Sequence, residues 1–161
     1  MITAEELREQ LNYDPETGVF TRRVRSSTRI RIGDVAGWSD KEGYVRIRVL
    51  NRVRAAHRLA WLHVHGVWPP NEIDHINGMR GDNRISNLRE ATHAENCRNR
   101  KKPRTGRCAL KGVYMKGARF CAKIKMNGKQ THIGYYDTEE EAHAAYMAAA
   151  EKEFGAFARA E

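Results

Sequence analysis

The chain has 161 residues, a formal net charge of +9 and a sequence pI of about 9.7. That length suits one ordinary domain or two small ones, and the charge points to a polyanionic partner, with nucleic acid first. Cys97, Cys108 and Cys121 form no CxxC pair, which argues against a disulfide framework or cysteine zinc finger and fits a reducing cytosol. The opening MITAEELREQ is too polar for a secretory signal, and no apolar run is long enough to span a bilayer.

Thr3 is placed to cap a short helix running through Leu11, with Glu6 completing a capping box. DPETG at 14–18 is a turn by composition, and 19–24 reads as a strand. Between 19 and 54 there are ten Lys or Arg against three Asp or Glu, more basic charge than a solvated face needs. In GYVRIRVL, 43–50, Val45, Ile47 and Val49 alternate with Tyr44, Arg46 and Arg48, which predicts a half-buried strand with an arginine-bearing outer face. Asn51-Arg52 is the expected turn, with 53–56 pairing back. HRLAWLHVH at 57–65 reads as a helix that Gly66 stops, with Leu59 and Leu62 inward. His57, His63 and His65 read as packing or surface residues; their spacing makes no zinc site. Trp68-Pro69-Pro70 is a rigid loop that delivers the chain to Ile73.

The stretch from 73 to 100, IDHINGMRGDNRISNLREATHAENCRNR, carries the chemistry. Ile73, Asp74 and His75 read as strand, Asn77-Gly78 and Gly81-Asp82-Asn83 as turns, 88–91 as a short return strand. Thr92 then caps a helix with Glu95 at the third position, and Asn96 falls one turn in. Strand, loop, strand, helix can bring Asp74, His75 and Asn96 to one point. A histidine takes a proton from water near neutral pH. One carboxylate and one amide oxygen suit magnesium, which keeps several waters; manganese fits the same donors. Asn87, twelve positions after His75, is placed to orient the imidazole.

DHINGMRGDNRISNLREATHAEN resembles the HNH homing-endonuclease family, in its phage and intron form with asparagine as the third residue of the signature. Together with YDPETGVFTRR, GYVRIRV and HRLAWLHVHGVWP, the resemblance covers 13–100. It implies a ββα-metal fold in which His75 is the general base, Asp74 and Asn96 hold the metal, and Asn87 orients the base. His93, three positions before Asn96, is the alternative second ligand. The resemblance also implies magnesium-dependent hydrolysis of double-stranded DNA in a phage or bacterial host cytoplasm.

Between 96 and 107 the chain carries Arg98, Arg100, Lys101, Lys102, Arg104 and Arg107 and no acid, which predicts a basic linker tracking phosphates. Beyond it, GVYMKG, ARFCAKIKM and KQTHIGYYD predict three antiparallel strands, with Asn127-Gly128 as a hairpin turn. Phe120, Ala122, Ile124 and Met126 face one way; Arg119, Cys121, Lys123 and Lys125 face the other. Thr138 and Glu141 box the start of a helix whose Ala142, Ala145, Tyr146 and Ala149 recur at helical spacing and should cover the apolar face. GVY, AKI, HIGYYDTEEEAHAAY and FGAFA make 111–158 similar to the ethylene-response-factor (APETALA-type) DNA-binding domain. Phe120 and His132 stand where that family has tryptophans, which shifts the expected contacts toward phosphate.

The reading is α+β: an HNH nuclease domain over 1–103, a linker over 104–110, and a sheet-and-helix DNA-binding domain over 111–161. The candidate DNA contacts are Arg46, Arg48, Arg58, Arg84, Arg98, Arg100, Lys101, Lys102, Arg119, Lys123, Lys125 and Lys129. A monomer or weak dimer with one site per chain nicks one strand. A DNA-binding regulator on an inactive scaffold is the rival, and an RNA-directed nuclease is a third reading.

Overall fold

The first helix, α1 (Ala4–Gln10), begins as its sequence dictates. The Thr3 amide donates to Glu6 Oε2 at 2.8 Å, and the Glu6 amide donates to Thr3 Oγ1 at 3.1 Å. Such a box is worth about 1 kcal/mol. The helix stops one residue earlier than expected: Leu11 is extended (φ −138°, ψ 138°) and opens β1 (Leu11–Tyr13). Pairing wins over helix continuation there because β1 lies antiparallel to β2 (Phe20–Arg22) and buries Leu11, Tyr13 and Phe20 together. The turn between them is built by Asp14, whose carboxylate accepts from the Glu16 amide and the Thr17 hydroxyl. The computed structural model describes residues 1–25, 27–99, 108–126 and 128–158, apart from the side chains of 98 and 156.

A three-stranded sheet follows, ordered β3 (Trp38–Ser39), β4 (Val45–Val49), β5 (Arg52–Ala55), all antiparallel. Ile47 and Val49 are buried and Arg48 is exposed, as the alternation predicts. The β4–β5 turn is Leu50-Asn51, one residue earlier than read from sequence, because Val49 pairs with Arg52. Both central residues are left-handed, Leu50 at φ 46° and Asn51 at φ 60°. Asparagine tolerates that region; for leucine it costs about 1–2 kcal/mol.

Helix α2 (Ala56–His65) ends at Gly66, whose φ of 77° lets its amide donate to the Leu62 carbonyl. Its Leu59 and Leu62 join Leu7, Leu11, Phe20, Ile47, Ile73 and Leu88 in one core. Each such side chain contributes about 1.5–3 kcal/mol by leaving water. The Arg8 guanidinium donates to the His63 carbonyl, tying α1 to α2, and Trp68 Nε1 donates to the Ile2 carbonyl. A hairpin of β6 (Glu72–His75) and β7 (Leu88–Ala91) then precedes α3 (His93–Arg98), giving the expected strand–strand–helix order.

The chain divides into two compact units, Met1–His93 and Ala94–Glu161. The second holds β8 (Val113–Lys116), β9 (Arg119–Met126) and β10 (Lys129–Tyr136), ordered β10-β9-β8, and α4 (Glu139–Phe154). Thr138 and Glu141 form the predicted box. Ala142, Tyr146 and Ala150 of α4 pack with Val113, Ala122 and Ile124. Gly112 is required there: a Cβ would lie 2.1 Å from the Tyr146 ring. The outer sheet face is less uniformly cationic than expected. Cys121 shares it yet is buried, in register with Tyr114 on one side and Tyr135 on the other. Asn127 of the expected hairpin turn and 104–107 of the expected linker lie outside the described residues. No described helix is long and apolar enough to cross a membrane.

Candidate active site

Strand β6 delivers an acid and an imidazole into the protein. Asp74 is 4% exposed and His75 5%, although neighbouring side chains on a strand point to opposite faces. Each face is covered by something different. Asp74 stands in register with Arg89 of β7, whose Nε and Nη2 donate to Oδ2 at 2.9 and 2.8 Å. This pair is largely removed from water, where a charge-assisted fork is strong and a lone carboxylate costly.

His75 faces rings. His57, from the first turn of α2, lies edge-on at 5.0 Å between centroids and 82° between planes; Tyr44 lies 6.1 Å away and also contacts His57. Arg80 stacks over Tyr44 at 4.8 Å. Burial pushes the His75 pKa below the ordinary value, against a smaller upward pull from Asn83, Asp74 and Asp82. Burial likewise pushes His57 down to about 3, with His75, Arg58 and Arg46 adding to it. Both imidazoles are therefore neutral at pH 7. His57 Nδ1 is buried and meets no hydrogen-bond partner among the described residues.

The loop after β6 is a closed net. The Asn77 amide donates to Asn87 Oδ1 at 3.0 Å, and Asn87 Nδ2 donates to the Asp82 carbonyl at 2.9 Å. Asn77 Nδ2 and the Arg84 guanidinium both donate to the Asp82 carboxylate, and Arg84 above all holds that carboxyl below the usual range. Asn87 thus spends both ends of its amide on the loop. The group beside the imidazole is Asn83, 2% exposed, with Oδ1 3.5 Å from His75 Nε2. Asn83 Nδ2 donates to the Gly81 carbonyl, which fixes the amide so that its oxygen faces the ring.

Asn83 is in turn pinned from the N-terminal side. The Tyr13 hydroxyl donates to its carbonyl at 2.7 Å, and burial pushes that phenol up to about 12, so it stays a donor. The Ile85 amide donates to the Pro15 carbonyl. Gly18, at φ 74°, lies so close that a Cβ would be 2.5 Å from Arg84 N and Asn83 C. The turn read from sequence as punctuation is the clamp on the loop.

For a metal, β6 offers the Asp74 carboxylate as a hard oxygen donor. The Arg89 fork converges on Oδ2 of Asp74. Among the described residues no group of three His, Cys, Asp or Glu could hold an ion. That donor chemistry fits a cation that keeps its waters, and does not fit a transition-metal cage. His93 Nδ1 meets Glu72 Oε1 at 2.8 Å. Asn96 is half-buried on α3, in the second unit.

The candidate DNA contacts divide. Arg48, Lys125 and Lys129 are exposed. Arg46 is paired with Asp40 at 2.7 Å, Arg84 with Asp82, and Arg119 with Asp137 at 3.2 Å, while Lys123 lies over the Tyr114 ring. Arg58 donates to the Asn71 and Pro69 carbonyls and lies over Trp68, so it holds the 68–71 loop. The Arg98 side chain, Arg100, Lys101 and Lys102 lie outside the described residues. Asn83 and Arg89 are not singled out by the sequence, while His57, read there as a packing or surface residue, packs on His75. Pairing 72–75 against 88–91 by register would have set Arg89 opposite Asp74; Asn83 and His57 had no such signal.

Residues 54–98 match the family described as HNH endonuclease, a stretch that includes Asp74, His75, Asn87 and Asn96. A solved structure titled "DNA binding and cleavage by the HNH homing endonuclease I-HmuI" is similar at 25% identity over 56% of this chain, with a TM-score of 0.43. The chain spans about half of that protein, 51% of its length. No curated protein matches. The segment 54–98, from the end of β5 to α3, is thus similar to the HNH endonuclease family.

Proposed function

We propose that the protein is a divalent-metal-dependent endonuclease that hydrolyses a phosphodiester of double-stranded DNA. The observation that carries this reading is a buried imidazole next along β6 to a buried carboxylate, inside the segment that matches HNH endonucleases. In this reading Asn83 Oδ1 accepts from His75 Nε2, which leaves Nδ1 as the basic nitrogen. Nδ1 takes a proton from water. The water oxygen attacks phosphorus as the bond to the 3′ oxygen breaks, and that oxygen gains a proton from solvent. The products are a 3′-hydroxyl and a 5′-phosphate.

Asp74 and Asn96 are the residues that would hold the metal, magnesium or manganese, which supplies positive charge for the leaving oxygen. Asn87 acts at one remove, by closing the loop that carries Asn83. One site per chain nicks one strand. The second unit, with Lys125 and Lys129 exposed on its sheet, would hold the duplex by phosphate contact in the manner of an ethylene-response-factor domain.

Incubating supercoiled plasmid with magnesium, against a chelator control, tests the reading directly. His75→Ala should lower the nicking rate by about 2–4 orders of magnitude while duplex binding persists. The rival, a DNA-binding regulator on the same scaffold, draws on the Arg89 cation that already neutralises Asp74. Duplex binding without any metal-dependent nicking would select it.

A further inference from the structure

A groove of about 660 Å³ opens on the first unit between β2, β3 and the β4–β5 turn, away from the Asp74–His75 pair in sequence and lined entirely by residues 10–51. Its wall carries Arg22 and Arg48, Trp38, Val35, Asp34 and Leu50.

Three features of this wall are unusual together. Arg22 is half-buried and donates Nη1 to the Arg48 carbonyl at 2.8 Å, and neither guanidinium has a carboxylate partner among the described residues. Asp34, the acid in the wall, turns Oδ2 to the Arg31 amide instead. Two cations without a counter-ion beside low-dielectric walls form a seat for an anion. Trp38, on the edge strand, is 48% exposed and meets no other ring among the described residues. A bare indole on the same groove wall as two guanidiniums is what stacks on a base whose phosphate is held. Leu50 is also 48% exposed, so its left-handed backbone is not compensated by core packing. A strained aliphatic side chain at the tip of an arginine-flanked hairpin has the form of the apolar wedges that part base steps.

We propose that this groove takes one unstacked nucleotide of the DNA strand, with its phosphate on Arg22 and Arg48, its base on the Trp38 indole, and Leu50 holding the neighbouring step apart. The proposal rests on DNA being the substrate, and it adds a local distortion of that DNA at a place separate from the cutting residues.

The test uses the full chain and two duplexes of one sequence, one fully paired and one carrying a single unpaired 2-aminopurine. The ratio of their affinities is the readout, so a general loss of DNA binding cancels. The native chain should prefer the unpaired base by about tenfold, with 2-aminopurine fluorescence quenched on binding. Trp38→Ala should bring the ratio to about one, and Trp38→Phe should restore part of it. Leu50→Gly relieves the left-handed strain, so it should keep or raise the thermal midpoint while lowering the ratio. Equal affinity of the native chain for both duplexes overturns the groove assignment, as does a preference that survives Trp38→Ala. If the native chain nicks plasmid yet shows no preference, the groove fails and the nuclease reading stands. Absence of binding to either duplex overturns both. Self-association that Trp38→Ala abolishes, with no preference for the unpaired base, assigns the face to a second copy and overturns the proposal.

Discussion

Two imidazoles packed edge to face at 5.0 Å lose water together, and each is held neutral by that loss. For His57 the consequence is a pH dependence of stability. Its pKa is about 3 in the fold against 6.5 ordinarily, so between those values the unfolded chain binds the extra proton. Stability should therefore fall as pH drops below about 6.5, by up to about 1.4 kcal/mol per pH unit. His57→Phe keeps a ring, removes the titration and removes the buried Nδ1. Urea midpoints from pH 7 to 4.5 should fall less steeply for it than for the native chain; an unchanged slope would place the pH dependence elsewhere. For His75 the consequence is kinetic. A base with a lowered pKa works from mildly acidic pH upward, so kcat/KM should rise through an apparent pKa below 6.5. Asn83→Asp puts a carboxylate near Nε2 and should move that limb to higher pH. Asn83→Leu should lower kcat without moving the limb upward, and a pH–rate profile of plasmid nicking separates the two.

Turns and strand pairs decide where those residues stand. The 14–18 turn is held by Asp14 and reaches the Asn83 loop through Tyr13, Pro15 and Gly18. Gly18→Ala meets both a left-handed φ of 74° and backbone atoms at 2.5 Å, so the loop must shift. Its cost should be about 2 kcal/mol or more by denaturant midpoint, with nicking reduced beyond what the lost folded fraction explains. Across the β6–β7 hairpin, Arg89→Gln removes the guanidinium fork from the buried Asp74, which should cost about 3–5 kcal/mol. In the fraction that folds, removing that positive charge should lower the magnesium concentration needed for half-maximal nicking. A metal titration giving a higher requirement would mean that Arg89 aims the carboxylate rather than competing for it.

At the scale of the molecule the charge of +9 is divided between local pairs and unpaired cations. Arg46, Arg84 and Arg119 have carboxylates beside them, while Lys125 and Lys129 are exposed on the second unit's sheet. Phosphate contact by those two lysines should appear as salt dependence. Lys125→Gln with Lys129→Gln should reduce the slope of log affinity against log salt by about one per lysine, equally for unrelated duplex sequences. An unchanged slope would remove these two lysines from the interface.

Periodicity and capping are local, and for that reason they were legible. Thr3 with Glu6, Thr138 with Glu141, the alternation of Val45 to Val49 and the apolar face of 120–126 each specify their element within a few residues. The pairing of an acid and a histidine on one strand could be read the same way. What the tertiary structure decided was which groups meet those two. Asn83 rather than Asn87 faces the ring, Arg89 forks Asp74, and His57 packs on His75 from a helix eighteen residues upstream in sequence (75 − 57). Hydrophobic period and turn chemistry act between neighbours along the chain. Desolvation and long-range hydrogen bonding act between neighbours in space, and only folding brings those together.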